Sequence, residues 1–225
     1  MMISSHIIVV AGGSGKRMNS VVPKQFLPLG KVPIIAVTLN RLVQVVPDCR
    51  ITVVIPERDI SYWHSCLNHI NFSNKINLAQ SGPERFHSVK SGLAFVNDNE
   101  VVAIHDAVRP LFSKEMIAYG FQVASKSGSA VPVVPLSESM REIDGALSRS
   151  VDRARFRLCQ TPQFFQARII LDAYRQSYRQ TFTDDASVAE AAGYSIRLID
   201  GNPENIKITT QADLKYAEAM LPCLK

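Results

Sequence analysis

The segment VVAGGSGKRMNSVVPKQF, residues 9–26, decides the fold because an apolar run passes directly into a glycine-rich turn. The flexible backbone of residues 11–15 can turn its N–H groups toward a phosphate. Lys16 and Arg17 follow at once, and Lys24 stands behind a proline. Cations in these places can neutralise charge that develops at a phosphorus atom. The segment therefore predicts a strand followed by a phosphate-binding loop.

Two common phosphate-binding motifs do not fit this loop. A Walker A loop needs a glycine five residues before Gly15 and a Ser or Thr after Lys16, but the chain has Val10 and Arg17 there. A dinucleotide-binding fingerprint would need a glycine where Met18 stands. A plain βα turn with solvated Lys and Arg side chains remains an alternative for the loop taken alone.

Beyond the loop, runs of β-branched residues alternate with amphipathic stretches. Ile34, Val37 and Leu42 share one face of a predicted helix, and Val89 and Leu93 share a face of another. Strands separated by helices predict an α/β fold with a mostly parallel central sheet, which binds ligands at the carboxyl ends of its strands. The strands are predicted at residues 7–10, 51–55, 76–79, 101–105 and 130–134.

Residues 136–158 break this alternation. They include MREIDGALSRSVD, in which Asp144-Gly145 separates two short extended stretches and predicts a type I′ hairpin. We interpret this segment as a projecting β-arm on a single domain that spans residues 1–225. After it, the patterns predict helices at 167–178 and 186–192, a strand in YSIRLID, a late strand in ENIKIT that carries Lys207, and a capped final helix in TTQADLKYAEAML.

The composition is that of an ordinary globular protein, with 46% apolar and 20% charged residues. No apolar run is long enough for a membrane helix and the N-terminus has no basic leader, so we expect a cytoplasmic protein without a membrane partner. The net charge of +5 suggests anionic partners. Because the basic residues are dispersed and not interleaved with aromatic ones, we expect phosphorylated small molecules and no nucleic acid. The four cysteines lack metal-ligand spacing.

Three further segments carry residues suited to a phosphate-transfer site. In HDAVRP, Asp106 ends a predicted strand and can bind Mg²⁺, while Arg109 faces the same crevice. In SGPERFHSV, Gly82 permits a close backbone approach and Ser88 offers a hydroxyl to a base or a sugar. Lys207 in ENIKIT can meet a phosphate as a point charge. Taken singly, a helix-capping aspartate with a surface arginine, or solvated loops, remain alternatives.

Taken together and in order, these segments resemble one enzyme family. AGGSGKRM, PKQFLPLG, SGPERFHSV, HDAVRP, VDR, QTPQFF, TDDAS and NIKIT are similar to motifs of the 2-C-methyl-D-erythritol 4-phosphate cytidylyltransferases of the non-mevalonate isoprenoid pathway. The resemblance runs from Val9 to near Leu214. It implies a Rossmann-like nucleotidyltransferase fold with a dimerising arm, and transfer of CMP from CTP to a polyol phosphate.

The resemblance also implies roles for single residues in nucleotide binding and catalysis. Arg17 and Lys24 would be the catalytic residues that stabilise the transition state at the α-phosphate, and Asp106 would hold Mg²⁺. The backbone of the glycine-rich loop would bind CTP, and the segment after the third strand would frame the cytosine. The nucleotide-binding residues implied are Ala11, Gly12, Gly13, Gly82, Pro83 and Ser88.

A second set of residues would position methylerythritol phosphate. Pro83 and Val108 depart from the family pattern, which often has an acidic residue and usually an alanine at these positions. Ser139 stands where a threonine often contacts the acceptor. The acceptor-positioning residues implied are Arg109, Ser139, Arg153, Thr161, Thr183 and Lys207.

Two other functions remain open at this point. A cytidylyltransferase that acts on ribitol 5-phosphate would keep almost every motif, because only the polyol end of the acceptor differs. A nucleotide-binding regulatory module is disfavoured, because Lys24, Asp106 and Lys207 form a complete catalytic set. The hairpin has too little apolar surface to be stable alone, so we expect a homodimer with shared sites, in which Arg153 completes the partner's acceptor site.

Overall fold

The structure is a computed structural model, and it describes residues 4–13, 20–70, 72 and 76–223. The strands of these residues are β1 Ser5–Val10, β2 Pro28–Leu29, β3 Val32–Pro33, β4 Arg50–Ile55, β5 Ile76–Gln80, β6 Val101–Asp106, β7 Ser129–Pro135, β8 Met140–Asp144, β9 Leu147–Val151, β10 Arg157–Cys159, β11 Gln163–Gln166 and β12 Leu198–Asp200. The α-helices are α1 Ile34–Val45, α2 Ile60–Cys66, α3 Arg85–Leu93, α4 Lys114–Ser127, α5 Ala167–Ala173, α6 Asp185–Ala191 and α7 Gln211–Met220.

The central sheet has the strand order β10-β7-β11-β6-β1-β4-β5, and β12 pairs with β7. β1 lies parallel to both β6 and β4, and β4 lies parallel to β5. β11 is antiparallel to β6 and to β7. In the β1–β6 register Val10 stands beside Asp106, so the glycine-rich loop and the aspartate leave the sheet side by side. The predicted α/β fold with a mostly parallel sheet is confirmed.

Both faces of the sheet are covered, because successive residues of a strand point to opposite sides. Ile7 packs on one face with Phe164 and the helices α1 and α4. Ile8 packs on the other face with Phe165 and the helices α3 and α5. All four of these side chains are fully buried. This two-sided packing fixes the sheet and leaves the carboxyl ends of its parallel strands for a site.

The five strands predicted from β-branched runs all form, with bounds that differ by at most one residue except at the start of β1. The predicted helix at 167–178 is too long. It ends at Ala173, and Tyr174 instead stacks on Phe86 at 4.7 Å and donates its hydroxyl to Asp185. The strand predicted in YSIRLID is limited to Leu198–Asp200.

The prediction that Lys207 lies on a strand is wrong. Residues 201–209 form a loop, in which Asn205 N–H bonds to Asn202 O in a turn. One backbone bond, from Ile208 N to Val108 O at 3.0 Å, attaches this loop to the segment after β6. Ile208 is fully buried and anchors the loop there. Asn205 is fully buried as well, where its side-chain amide donates to Thr161 O at 2.9 Å and its backbone carbonyl accepts from Arg109 Nη1 at 2.7 Å, so the loop holds Lys207 near Asp106.

The predicted hairpin forms a separate two-stranded sheet of β8 and β9. Asp144 pairs with Leu147, so the turn consists of Gly145 and Ala146, one residue later than predicted. Gly145 has a φ of +57°, which glycine adopts without strain. Ile143 and Leu147 are 70% and 75% exposed near the tip. The last part of 136–158 rejoins the central sheet, because β10 pairs with β7.

Candidate active site

A cavity of about 720 Å³ opens at the carboxyl ends of β1, β4, β5 and β6. Its position follows from the parallel sheet, whose loops all emerge on this side. Arg17 lies outside the described residues. The predicted residues that line the cavity are Ala11, Gly12, Gly13, Lys24, Gly82, Pro83, Ser88, Asp106 and Lys207.

Two glycines in the cavity wall allow backbone segments to approach closely. A Cβ on Gly82 would lie 2.3 Å from the Cβ of His87, and a Cβ on Gly12 would lie 3.1 Å from the Cβ of Ser81. The first distance is a clash, so residue 82 must be glycine in this conformation. The second is a tight contact that presses the glycine-rich loop against the end of β5. These contacts form the narrow, backbone-lined part of the cavity.

Lys24 and Gln25 join the segment after the loop to the cavity. Lys24 Cε lies 3.7 Å from the place of a Cβ on Gly13, so the lysine stem runs along the loop. Gln25 is 1% exposed and its amide donates to Ala11 O at 2.7 Å. Sequence reasoning gave Gln25 no role, although it is part of the PKQF motif. Gln25 fixes the start of the loop and so sets where Lys24 stands.

Ser88 lines the cavity, but its hydroxyl is engaged within the protein. Its Oγ accepts from the N–H of Gly82 at 3.1 Å and reaches the carbonyl of Glu84 at 3.2 Å. Ser88 is 3% exposed. The hydroxyl therefore shapes the segment 82–84, and its contact with a base stays a prediction.

A smaller cavity of about 280 Å³ adjoins the first. It holds the predicted acceptor residues Arg109, Thr161 and Thr183 in its wall. The two cavities have three lining residues in common, namely Arg85, Asp106 and Lys207. A ligand in each cavity would therefore meet the other at this cluster of charges.

Asp106 is the centre of that cluster. Its Oδ2 lies 2.9 Å from Lys207 Nζ and 3.3 Å from Arg109 Nε, and its Oδ1 lies 3.9 Å from Arg85 Nε. Burial disfavours the charged carboxylate, but Lys207, Arg85 and Arg109 outweigh burial and hold the pKa of Asp106 well below its ordinary value. The side chain is ionised at neutral pH and faces both cavities.

A chain of hydrogen bonds fixes the backbone beside Asp106. The N–H of Asp106 donates to Thr161 Oγ1 at 3.0 Å, and that oxygen lies 3.1 Å from His105 Nδ1. His105 Nε2 lies 3.0 Å from the carbonyl of Arg109. Burial lowers the pKa of His105 to about 4, so the ring is neutral and this chain is complete with Nε2 protonated. Thr161 thus fixes the backbone of the carboxylate that is predicted to hold the metal, and it also lines the smaller cavity.

The two predicted arm residues do not reach either cavity within the described part of the same chain. Arg153 lies just after β9 and donates to the carbonyl of Ser137. Ser139 precedes β8. Neither lines the larger or the smaller cavity. Arg153 could complete an acceptor site only if the arm reached a cavity of another subunit.

Arg85 is the residue that sequence reasoning missed most clearly. It belongs to the quoted motif SGPERFHSV, yet it received no role there. Its Nη1 and Nη2 bind the two carboxylate oxygens of Asp185 at 2.8 and 2.7 Å. The sequence could point to Arg85 only as an arginine within a motif. It could not show that Asp185, 100 residues later, is its partner.

The side chains at the junction of the two cavities fit Mg²⁺ as an ion that is bound together with a substrate phosphate. Among the described residues no group of three or more His, Cys, Asp or Glu side chains could enclose a metal ion. Mg²⁺ is, however, usually bound by one or two carboxylates together with substrate phosphates and water. Asp106 provides one ionised carboxylate at the junction of the two cavities. It fits an ion that arrives with a triphosphate.

These features define the class of protein. A glycine-rich loop after β1, a lysine beside it and a carboxylate at the end of β6 surround a cavity large enough for a nucleotide, and a second, smaller cavity adjoins it. The chain is a nucleotidyltransferase of the Rossmann-like type. Within residues 4–13, 20–70, 72 and 76–223, no helix combines the length and apolar character needed to cross a membrane.

Comparison with known proteins gives the family. The family described as "IspD: 2-C-methyl-D-erythritol 4-phosphate cytidylyltransferase" matches residues 5–222. Enzymes of that name from Bacteroides fragilis and Phocaeicola vulgatus are 44% and 40% identical over 95% and 97% of this chain, and over 98% and 100% of their own lengths. The chain therefore belongs to the 2-C-methyl-D-erythritol 4-phosphate cytidylyltransferase family.

Solved structures agree with this assignment. The 2-C-methyl-D-erythritol 4-phosphate cytidylyltransferase of Thermus thermophilus is 28% identical with a TM-score of 0.77, over 99% of this chain and 100% of that one. The bifunctional IspDF of Campylobacter jejuni is 26% identical with a TM-score of 0.80, over 95% of this chain and 54% of that one. The resemblance inferred from the motifs is confirmed, and the ribitol phosphate alternative is not favoured.

Proposed function

We propose that this enzyme transfers CMP from CTP to 2-C-methyl-D-erythritol 4-phosphate and releases pyrophosphate. A phosphate oxygen of the acceptor attacks the α-phosphorus of CTP, and the bond from that phosphorus to the bridging oxygen of the β-phosphate breaks. The product is 4-diphosphocytidyl-2-C-methyl-D-erythritol. The observation that carries the proposal is the meeting of a nucleotide-sized cavity and a smaller one at Asp106, Arg85 and Lys207.

No general base is needed, because the acceptor phosphate is already ionised near neutral pH. What the reaction requires is positioning and neutralisation of charge on the α-phosphate and on the departing pyrophosphate. Lys24 stands beside the glycine-rich loop to do this, and Arg17 is proposed to act with it. His105 is excluded as a base by its hydrogen bonds to Thr161 and Arg109.

The nucleotide is proposed to occupy the larger cavity. Backbone N–H groups of Ala11, Gly12 and Gly13 would bind its phosphates, and the segment containing Gly82, Pro83 and Ser88 would frame the cytosine. Asp106 would hold Mg²⁺. The ion, when bound, would neutralise triphosphate charge and polarise the phosphoryl oxygens.

The acceptor is proposed to occupy the smaller cavity. Lys207 and Arg109 provide positive charge for its phosphate, and Thr161 and Thr183 lie in the wall. Ser139 and Arg153 would be supplied by the arm of a second subunit, because they reach neither cavity of their own chain. The exposed Ile143 and Leu147 support such an arm contact. We therefore propose a single-domain subunit in a homodimer with shared sites; a cytoplasmic location and the absence of nucleic-acid partners stay predictions.

A coupled pyrophosphate assay tests the proposal directly. Purified enzyme with CTP and Mg²⁺ is given either methylerythritol phosphate or ribitol 5-phosphate. We expect rapid pyrophosphate release with the first acceptor and little with the second. Comparable or faster release with ribitol 5-phosphate would overturn the acceptor assignment. Absence of release with both acceptors would favour a regulatory module.

A further inference from the structure

Arg85 differs from the other cations of the cluster in the partner that holds it. Asp185 is fully buried and binds both Nη atoms of Arg85. Tyr174 adds a third bond, because its hydroxyl donates to Asp185 Oδ1 at 2.7 Å. The fork of the guanidinium therefore faces Asp185, and Nε is the atom that faces Asp106. An arginine held in this way cannot reorient without breaking a buried, bidentate pair.

This arrangement separates the task of Arg85 from those of Arg109 and Lys207. The Lys207 side chain is 39% exposed and ends in a rotatable ammonium group, so it can exchange Asp106 for a substrate phosphate. The Arg85 side chain is 28% exposed, but its fork is occupied by Asp185. Arg109 is anchored too, because its Nη1 donates to Asn205 O at 2.7 Å, but it contacts the same oxygen of Asp106 as Lys207 does. Arg85 is thus the anchored cation that faces the other carboxylate oxygen, Oδ1.

The same ion pair also joins the walls of the two cavities. Arg85 is the first residue of α3, directly after the nucleotide segment 81–84. Asp185 is the first residue of α6, directly after Thr183 and Asp184 of the acceptor cavity. Gln163 holds this second wall, because its amide donates to Asp184 at 2.8 Å and accepts from Ala186 N at 2.9 Å.

We propose that Arg85, aimed by Asp185 and Tyr174, is a positioning residue that keeps Asp106 Oδ1 directed at the metal–nucleotide complex. The inference rests on the proposed function, in which Asp106 holds the ion that accompanies CTP. Partners that orient a metal ligand commonly change metal affinity or activity by about tenfold to a hundredfold when they are replaced. Arg85 therefore acts first on metal binding and, through it, on the rate.

The test compares Arg85→Lys, Asp185→Asn and Tyr174→Phe with the wild type. Arg50→Lys is the matched control. Arg50 Nη1 lies 2.8 Å from Oε1 of the buried Glu100, and this ion pair stands at the opposite end of the strands. Binding of Mn²⁺ in the presence of CTP and without acceptor is measured by titration calorimetry. Rates are then measured as a function of each substrate and of Mg²⁺.

We expect Arg85→Lys and Asp185→Asn to weaken Mn²⁺ binding by about tenfold to a hundredfold. Tyr174→Phe should weaken it less, because it removes one of the three bonds to Asp185, and Arg50→Lys should leave it unchanged. Excess Mg²⁺ should restore much of kcat, and KM for the acceptor should change less than the affinity for Mn²⁺. A loss of rate that Mg²⁺ does not restore, or a main effect on KM for the acceptor, would overturn the proposal.

Failure to fold does not leave the proposal untested. If Arg85→Lys or Asp185→Asn is unfolded by circular dichroism, Tyr174→Phe decides, and wild-type Mn²⁺ binding in that variant overturns the proposal. A failure of the proposed function is recognised separately. It would show as a wild-type enzyme that releases no pyrophosphate, or as Asp106→Asn binding Mn²⁺ with CTP as tightly as the wild type does.

Discussion

Lys207 Nζ lies 2.9 Å from Asp106 Oδ2, so the cation assigned to the acceptor phosphate is paired with the carboxylate assigned to the metal. Arg109 Nε contacts the same oxygen at 3.3 Å. The charge of each group is thus neutralised before substrates arrive, which limits the cost of holding ionised groups beside the cavities. The two proposed substrate sites share these charges, so a change at either residue should affect both cavities.

Asp106→Asn should raise the Mg²⁺ concentration needed for half-maximal rate. The neutral amide is a weaker ligand for Mg²⁺ than the carboxylate, and it no longer balances Lys207 and Arg109. The measurement is a Mg²⁺ titration of the rate at saturating CTP. Asp98→Asn, an exposed change outside both cavities, is the control, and a titration curve that does not move would place the metal elsewhere.

Lys24→Ala should reduce kcat by on the order of a hundredfold or more, as the loss of one charge-stabilising donor commonly does. Lys24 runs along the glycine-rich loop, where charge would develop on the α-phosphate. Steady-state kinetics of the purified variant are compared with those of Lys126→Ala, an exposed lysine in the last turn of α4. Turnover at nearly the wild-type rate would remove Lys24 from the catalytic role.

A mixed dimer tests whether sites are shared between subunits. Lys24→Ala and Arg153→Ala homodimers should each be nearly inactive. In the heterodimer one site collects both defects, while the other combines the intact loop of the Arg153→Ala chain with the intact arm of the Lys24→Ala chain. Co-expression with two tags and purification of the heterodimer should therefore recover activity. A heterodimer no more active than its parents argues that each arm serves its own chain.

Stability should fall as the pH drops below the ordinary pKa of histidine, partly because of His6. His6 is fully buried between Thr52 and Glu100. Burial lowers its pKa below 6.5, although Glu100 opposes the shift. The unfolded chain therefore binds a proton at His6 more readily than the folded chain does. The contribution of neutral His6 to the free energy of unfolding is present above pH 6.5, and it is lost as the pH falls through 6.5 toward the lower pKa of the folded state. Thermal unfolding at pH 7.5 and 5.5 measures the loss of stability, which should be smaller in His6→Gln than in the wild type. An equal loss in the two proteins would contradict the role of His6.

The sequence predicted those parts of the fold that depend on local pattern. The β-branched runs that end at Val10 and Asp106 form adjacent parallel strands, because their apolar side chains must be covered on both faces. That pattern was enough to bring the glycine-rich loop to the carboxylate. The position of Asp106 at a strand end was readable for the same reason.

The parts that could not be predicted depend on partners distant in the sequence. Arg85 looks like an ordinary helix-start residue until Asp185 is placed beside it by the packing of α6. The end of α5 is set by Tyr174, whose ring and hydroxyl find partners in other elements. Lys207 has a β-like sequence around it, but the loop's one bond to Val108 leaves no ladder to extend.

After the hairpin a single 3-10 turn, Arg153–Arg155, leads into the short strand β10, which runs directly into Gln160 and Thr161 in the wall of the smaller cavity. Only residues 152–156 and β10 therefore separate the paired strands of the arm from the cavity wall, and a displacement of the arm has a short path to that wall. If a second subunit binds the arm, that binding would be coupled through β10 to the wall of the smaller cavity. By reciprocity, binding of the acceptor would then strengthen the contact between the subunits. Dilution of the enzyme into monomers would weaken its affinity for the polyol phosphate.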